Sequence, residues 1–232
     1  MHEECLICGA ALEYLDRDEE LVCARCGKTQ RSKTRCVNGH FVCDECHTGS
    51  TDGITEVCLG SASADPVEIL EQLMALPSCH MHGPEHHIMV GAALLTAYKN
   101  AGGALDLKAA LAEMRERGAQ VPGGACGFWG ACGAGISAGI YVSILLKATP
   151  LAKEAWGCAN RMTARALEKI GKHGGPRCCK RDSYLAVLAA AEFTRECLGV
   201  ALQPGPIRCS RWHQNNQCLK EDCPFHSAGA EK

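Results

Sequence analysis

The pattern of hydrophobic and polar positions divides the chain into three parts. The first 58 residues are polar and rich in cysteine, with short alternating stretches at 20–22 and 40–42 that predict short strands. Beyond residue 66, hydrophobic residues recur three and four positions apart, which predicts helices separated by turn residues. The predicted helices cover 67–76, 84–101, 105–118, 136–147, 151–172 and 183–199.

This pattern predicts a mainly α protein with metal-dependent ends. A small zinc-stabilised module of β and loop structure is expected at 1–58, a linker at 59–66, a helical core domain at 67–203 and a cysteine-rich, metal-binding tail at 204–232. With 232 residues, 47% of them hydrophobic and 22% charged, the chain can bury a full core. We therefore expect the helical domain to be the scaffold for the rest.

Charge and hydropathy argue for a cytoplasmic protein without a membrane partner. The formal net charge is -2, so no overall field attracts nucleic acid or an anionic membrane. Residues 118–146 carry no charge and are long enough to span a bilayer, but the glycines in this run disfavour an isolated helix. We interpret the run as a buried loop and helix. The N-terminus lacks the basic and apolar pattern of a secretion signal.

The chain contains 18 cysteines and 10 histidines, which is unusual for its length. In a reducing compartment, thiols stay free for metals or chemistry, so we expect metal ligands instead of a disulfide framework. Cys58, Cys158 and Cys197 lie alone in their segments, and we interpret them as small hydrophobic residues.

Four pairs of metal ligands follow one another near the N-terminus and predict two zinc ions. Sequential pairing makes the first four a zinc ribbon, whereas interleaved pairing resembles a cross-braced RING-like module that lacks the closing pair of a RING. Zinc would hold together a segment too small for its own core, and the module would serve architecture or docking of a protein partner. His47 is a spare imidazole. The eight predicted ligands are Cys5, Cys8, Cys23, Cys26, Cys36, His40, Cys43 and Cys46.

The core carries a histidine-rich segment directly before an apolar helix. Residues 79–87 contain one thiol, four imidazoles and a carboxylate, and Pro84 fits the first helical turn. At a helix N-terminus the macrodipole favours an anion and lowers the pKa of an imidazole, which leaves it neutral and able to bind metal. Capping and buried hydrogen bonds are the alternative role. The candidate site residues are His82, Glu85, His86 and His87.

Two further core segments combine thiols with glycines or cations. Cys126 and Cys132 lie in a glycine-rich run, where backbone amides can approach an iron–sulfur cluster or an anionic substrate. Cys178 and Cys179 are flanked by three cations, which favours the thiolate and metal, sulfur-transfer or redox chemistry over a strained disulfide. A solvated basic turn with incidental cysteines is the alternative. The cations, expected to bind an anionic substrate, are Arg177, Lys180 and Arg181.

The tail returns to metal-ligand spacing with four candidate ligands. The pattern resembles a CCCH zinc finger with shortened final gaps, which gives a weak indication of RNA binding. We favour a second interpretation, in which the cysteines bind zinc or a cluster that holds the tail against the core. The predicted ligands are Cys209, Cys218, Cys223 and His226.

Several motifs together resemble those of an uncharacterised prokaryotic family, a domain of unknown function found largely in anaerobes. They are HGPEHH at 82–87, CGFWGxCGA at 126–134, ATPL at 148–151 and GPRCCKR at 175–181. The resemblance covers roughly 75–226 and implies no activity. It implies an anaerobic setting, in which an oxygen-sensitive iron–sulfur centre is plausible, and it leaves the zinc-ribbon-like head as an addition.

Two classes of function remain open from the sequence. The first is an iron–sulfur or other metal-dependent enzyme for sulfur transfer, redox or lyase chemistry on a small anionic substrate. The alternative is a zinc-binding protein that docks RNA or a protein partner and has no catalysis of its own. The density of chemical motifs in the core favours the enzyme. Its expected catalytic groups are Cys126, Cys132, Cys178, Cys179, His82, Glu85, His86 and His87.

Overall fold

The computed structural model describes residues 5–48 and 52–227, and within them the chain is mainly α, as predicted. The predicted module and tail also include residues 1–4, 49–51 and 228–232, which lie outside the described residues. The elements are β1 (Leu12–Val22), β2 (Thr29–Cys36), α1 (Asp44–Thr48), α2 (Asp52–Gly60), α3 (Pro66–Met74), α4 (His86–Asn100), α5 (Leu107–Gly118), α6 (Ala125–Phe128), α7 (Gly133–Leu145), α8 (Lys153–Gly171) and α9 (Cys179–Leu198), followed by 3₁₀ turns at Trp212–Gln214 and Lys220–Asp222.

All six predicted helices are present, with ends that differ from the prediction by no more than four residues. Their boundaries follow ordinary capping chemistry. Asp65 accepts a hydrogen bond from the Val67 amide at the start of α3, and Asp106 accepts one from Ala109 at the start of α5. Gly199 ends α9 in the left-handed conformation, with φ of 70°, which glycine adopts without steric cost.

Helix α4 is the centre of the core. It packs against α2, α3, α5, α7 and α9. Every residue from its first turn to Ala97 is buried, so the helix has no polar face, as expected for a helix surrounded by others. The segment that begins α4 is therefore held rigidly, and this segment is the histidine-rich motif.

The long uncharged run folds as a loop followed by a helix. The helix is buried as expected, but the expectation of a buried loop is wrong, because Phe128 and Trp129 are exposed. The run contains the short helix α6 and then α7, whose buried face packs against α4 and α8. No helix among the described residues is long and apolar enough to cross a membrane.

Two local predictions differ from the structure. The sheet is an antiparallel hairpin of β1 and β2, whereas the expected strand at 40–42 contributes only a bridge from Phe41 to Cys23. Helix α2 occupies the end of the expected module and the start of the expected linker. Its residues Ile54 and Cys58 are buried in the helical core, because hydrophobic positions four apart form one apolar face even in this short segment.

Candidate metal centres

The N-terminal module contains two compact groups of metal ligands. In the first, one ligand atom from each of four residues lies within 4.8 Å of all the others. The Cys8 and Cys36 sulfurs are 3.5 Å apart, and the His40 Nδ1 atom is 3.3 Å from the Cys8 sulfur. The group consists of Cys5, Cys8, Cys36 and His40.

The second group in the module has four sulfurs with the same spacing. The Cys26 and Cys43 sulfurs are 3.7 Å apart, and the Cys43 amide donates to the Cys23 sulfur over 3.3 Å. Such amide donors stabilise the charge of metal-bound thiolates. The group consists of Cys23, Cys26, Cys43 and Cys46.

The two groups are interleaved along the chain, so the grouping of the first four cysteines as a zinc ribbon is wrong. The hairpin explains this arrangement. Leu12 at the start of β1 pairs with Cys36 at the end of β2, which brings the ligands before the hairpin next to those after it. At the other end, the bridge from Cys23 to Phe41 aligns the hairpin turn with Cys43. The result is the cross-braced topology.

The cysteines of the tail surround a cavity together with one cysteine of the core. Aromatic rings of Tyr184, Trp212 and Phe225 form part of its wall. Among the described residues, no three of the potential ligands that line it bring their ligand atoms within 4.8 Å of one another. These ligands are Cys178, Cys209, Cys218, Cys223 and His226.

Several hydrogen bonds fix this arrangement. The Cys178 sulfur caps α9 by accepting from the Arg181 amide at 3.5 Å, and it also accepts from the Asn215 side chain at 3.5 Å. The Lys220 amide donates to the Cys218 sulfur over 3.3 Å. The Cys209 amide donates to the Phe225 carbonyl over 2.8 Å, which joins the two ends of the tail. The tail is thus attached to the core at the start of α9.

The histidine-rich motif is bound to α9 by a buried lysine. The Lys180 ammonium donates to the Cys79 sulfur at 2.9 Å, the His80 carbonyl at 2.7 Å and His86 Nε2 at 2.9 Å. Cys79, Glu85 and His86 have metal-ligand spacing, but the ammonium lies beside two of them and supplies the positive charge. His86 Nδ1 donates to Gly83, so its Nε2 is an acceptor and the ring is neutral.

Burial controls the protonation of the core histidines. Burial, together with the charges of Arg177 and Lys180, lowers the pKa of His82 to about 3. Burial and then Lys180 lower the pKa of His86 to about 3, and burial also lowers that of His87, whose Nδ1 donates to the Val121 carbonyl at 3.0 Å. Neutral imidazoles were expected here, but desolvation is the main cause and not the helix macrodipole.

The side chains of Glu85 and His87 explain why two positions of the motifs are glycine. A Cβ atom on Gly83 would overlap the Glu85 carboxylate, and one on Gly133 would overlap the His87 ring. Both positions therefore exclude any side chain.

The four core cysteines expected to act together are not assembled into one site. In the part of the chain that the structure describes, they form no group with metal-ligand spacing. Cys178 faces the tail cavity, whereas the Cys132 thiol lies 3.8 Å from the Asp182 carboxylate and donates to it. Cys126 lies in α6 and Cys179 begins α9.

Burial also reverses the expected acidity of these thiols. It raises the pKa of Cys132 to about 12, with Asp182 adding to the rise, and that of Cys178 to about 11. The pKa of Cys179 is raised well above its ordinary value for the same reason. The neighbouring cations do not offset this effect, because their charged groups point to other partners.

The three cations expected to bind substrate have different surroundings. Lys180 is buried and donates to the histidine-rich motif as described above. Arg181 is also buried, and it donates to Asp182 at 3.0 Å and to the Gly174 and Pro176 carbonyls at 2.8 and 3.1 Å. Both therefore hold the interior together. Arg177 is half-buried and donates to the Tyr14 hydroxyl at 2.6 Å.

The contact of the module with the core at the core motifs was not predicted from the sequence. Besides the bond from Arg177 to Tyr14, the Gly123 amide donates to the Asp44 carboxylate over 3.1 Å. The Tyr14 and Phe128 rings pack edge to face, with centroids 6.1 Å apart. Asp182 was also missed, although a carboxylate directly after two cations in GPRCCKRD is a recognisable signal for a local ion pair.

Comparisons with known proteins give a family but no activity. No curated protein matches the chain, and no solved structure matches it. One family model matches residues 54–226, which begin in α2 and end in the tail. That span contains the helical core, the histidine-rich motif and the cavity, and it excludes both ligand groups of the N-terminal module. The chain belongs to this family, DUF5714, a family of unknown function.

Proposed function

We propose that the protein is an iron–sulfur enzyme that carries out redox chemistry on a small anionic substrate. The observation that carries the proposal is the cavity surrounded by four cysteines that are too widely spaced for a single ion. These cysteines are Cys178, Cys209, Cys218 and Cys223.

The spacing argument rests on simple geometry. A tetrahedral zinc ion with Zn–S bonds of about 2.3 Å holds its sulfurs about 3.8 Å apart. The module sites have this spacing, with sulfur pairs at 3.5 and 3.7 Å. We therefore propose that the module binds two zinc ions, for which sulfur and imidazole ligands are typical. The cysteine sulfurs around an iron–sulfur cluster lie further apart than those around a single ion, since each cysteine binds a different iron.

The surroundings of the four sulfurs also suit a cluster. The amides of Arg181 and Lys220 and the side chain of Asn215 donate to sulfur atoms, and such bonds stabilise thiolate charge and tune the reduction potential. Bound metal deprotonates a coordinating thiol, which overcomes the raised pKa that burial gives Cys178. When bound, a cluster with four cysteine ligands supplies one-electron redox chemistry.

Arg177 is the residue that best fits substrate binding. It lies one residue before Cys178, and its guanidinium reaches the surface where the module meets the core. Such a group binds carboxylate or phosphate with two parallel hydrogen bonds. Sulfur transfer through Cys132 is less favoured, because its thiol is half-buried and donates to Asp182.

One observation favours the second candidate function, docking of RNA or a protein partner. Trp129 is 67% exposed, Tyr14 50% and Phe128 45%, and the Lys33 ammonium lies 5.2 Å from the centre of the Phe128 ring. Exposed aromatic rings beside cations are typical of surfaces that stack on bases or bind peptides.

The experiment that tests the proposal is the iron and acid-labile sulfide content of the chain purified without oxygen, together with its visible spectrum. We expect iron and sulfide in matching amounts and a broad band near roughly 400 nm. Cys209→Ser and Cys178→Ser should abolish the band, whereas Cys197→Ser should retain it, since Cys197 is exposed on α9 away from the cavity.

Zinc without iron or sulfide in the wild-type chain would overturn the cluster proposal. Binding of single-stranded RNA that is lost in a Trp129→Ala variant would then favour docking.

A further inference from the structure

A group of three side chains brings the module and the core together. His47 follows the last ligand of the module, whereas His80 and Glu85 belong to the core. The Nδ1 atom of His47 lies 3.5 Å from Glu85 Oε2, and the Nδ1 atom of His80 lies 3.5 Å from Glu85 Oε1. One ligand atom from each residue lies within 4.8 Å of the others, the spacing of a metal site.

The polar atoms of this group are buried and have no hydrogen-bond partner. This holds for the Nδ1 atoms of His47 and His80 and for Oε2 of Glu85. Glu85 is only 1% exposed. Leaving one such buried atom unpaired is unfavourable, and three converging on one point are costly unless something lies between them.

The neighbouring cations do not fill this point. The Lys180 ammonium donates instead to Cys79, the His80 carbonyl and His86. Glu85 Oε1 accepts the His80 amide at 2.8 Å, which holds the carboxylate in place but leaves Oε2 directed at His47. The ligands are therefore positioned before any ion binds.

We propose that His47, His80 and Glu85 bind a divalent transition-metal ion such as Zn²⁺ or Fe²⁺. Two imidazoles and one carboxylate form the ligand set of many catalytic zinc and non-haem iron sites, where other positions remain open for water or substrate. The side chains of His47 and His80 are 22% and 25% exposed, so the site lies close to the surface although its ligand atoms are buried. This open coordination distinguishes the site from the two closed sites of the module.

Metal binding here also joins two parts of the molecule. His47 comes from α1 of the module, and the core ligands precede α4, so the ion connects them beside the contact between Asp44 and Gly123. The site is independent of the proposed cluster, whose ligands are cysteines of α9 and the tail.

The test measures zinc uptake by the full chain after dialysis against a chelator mild enough to leave the module loaded. Calorimetric titration of the wild-type chain with Zn²⁺ should show about one ion bound. His47→Gln and Glu85→Gln should lose this ion. His173→Gln should retain it, because His173 is a half-buried histidine beyond α8 that belongs to no group of ligands among the described residues.

Cobalt gives a second readout that does not depend on a variant. One added Co²⁺ per wild-type chain should give weak visible bands without a new sulfur-to-metal charge-transfer band. The proposal fails if the wild-type chain and His47→Gln take up equal amounts of zinc, or if the added cobalt binds through sulfur. The His47→Gln comparison remains informative if Glu85→Gln fails to fold, because the His47 side chain lies at the edge of the module.

Discussion

The two ends of the chain use the same residue types and build different sites. In the module, sulfur and imidazole ligands lie as close as 3.3 to 3.7 Å around a hairpin. In the tail, the cysteines are spread around a cavity with aromatic walls. Ligand identity is thus shared, and the scaffold determines how far apart the ligands lie.

The scaffolds also differ in how much they depend on metal. The module has a hydrophobic cluster of only four buried residues, Leu21, Cys23, Phe41 and Cys43, and two of them are ligands. The tail instead packs Cys209 and Phe225 into the main helical core, and Arg211 donates to Glu71 of α3 at 2.7 Å. Metal loss should therefore unfold the module and leave the helical core intact.

The largest effect is expected from Cys36→Ser, which removes a fully buried ligand of the module. Binding of a structural zinc contributes about 10–16 kcal/mol, far more than this small cluster can supply. The variant should lose zinc and become sensitive to protease within β1 and β2, while the far-ultraviolet dichroism of the helices persists. Cys197→Ser is the matched control, and zinc loss in that variant would contradict the assignment.

Cys209→Ser should have the next largest effect, confined to the tail. We expect loss of iron and sulfide with unchanged zinc, because the two ends bind metal independently. Elemental analysis of the same sample measures both metals. Equal loss of zinc and iron would show that the two ends are coupled and would contradict the comparison.

A variant in the packing of the helices should change the stability of the helical core and leave metal binding at both ends of the chain unchanged. A Cβ atom on Gly139 of α7 would overlap the Thr163 hydroxyl of α8, so Gly139→Ala should lower the free energy of unfolding by about 1–3 kcal/mol. The same change at Gly157 of α8 has free space, and there we expect a gain of about 0.5–1 kcal/mol. Denaturant unfolding compares the two, and similar values would refute the close packing of α7 on α8.

The smallest effect is expected from Lys28→Ala. Lys28 pairs with Glu45 at 2.5 Å, but their side chains are 64% and 72% exposed, and exposed pairs contribute little. Zinc content and thermal stability should not change measurably. A clear loss of zinc would mean that this surface pair supports the module.

Much of the fold was predictable because the helices carry regular hydrophobic spacing and ordinary caps. Asp65 and Asp106 mark two helix starts in the sequence itself. Only the part of the hairpin at 20–22 was predicted as strand, because charged and polar residues dominate both strands and few of their positions are buried. Helix α2 was missed since it is short and crosses the boundary between the expected module and the expected linker.

The candidate site was only partly predictable, because spacing along the chain does not give distance in space. The eight ligands of the module were recognisable as pairs, but their interleaving depends on the register of the hairpin. Cys178 was expected beside Cys179, yet the start of α9 directs it toward the tail cavity. Lys180 seemed available to substrate, and only packing reveals that it is buried against His86.

X-ray absorption at the zinc and iron edges of one sample, purified without oxygen, tests the difference between the two ends most directly. The proposal predicts zinc bound mainly to sulfur at about 2.3 Å and iron with both sulfur and iron neighbours, the latter lost in Cys209→Ser. Zinc with sulfur and imidazole ligands in the tail, and no iron, would contradict it.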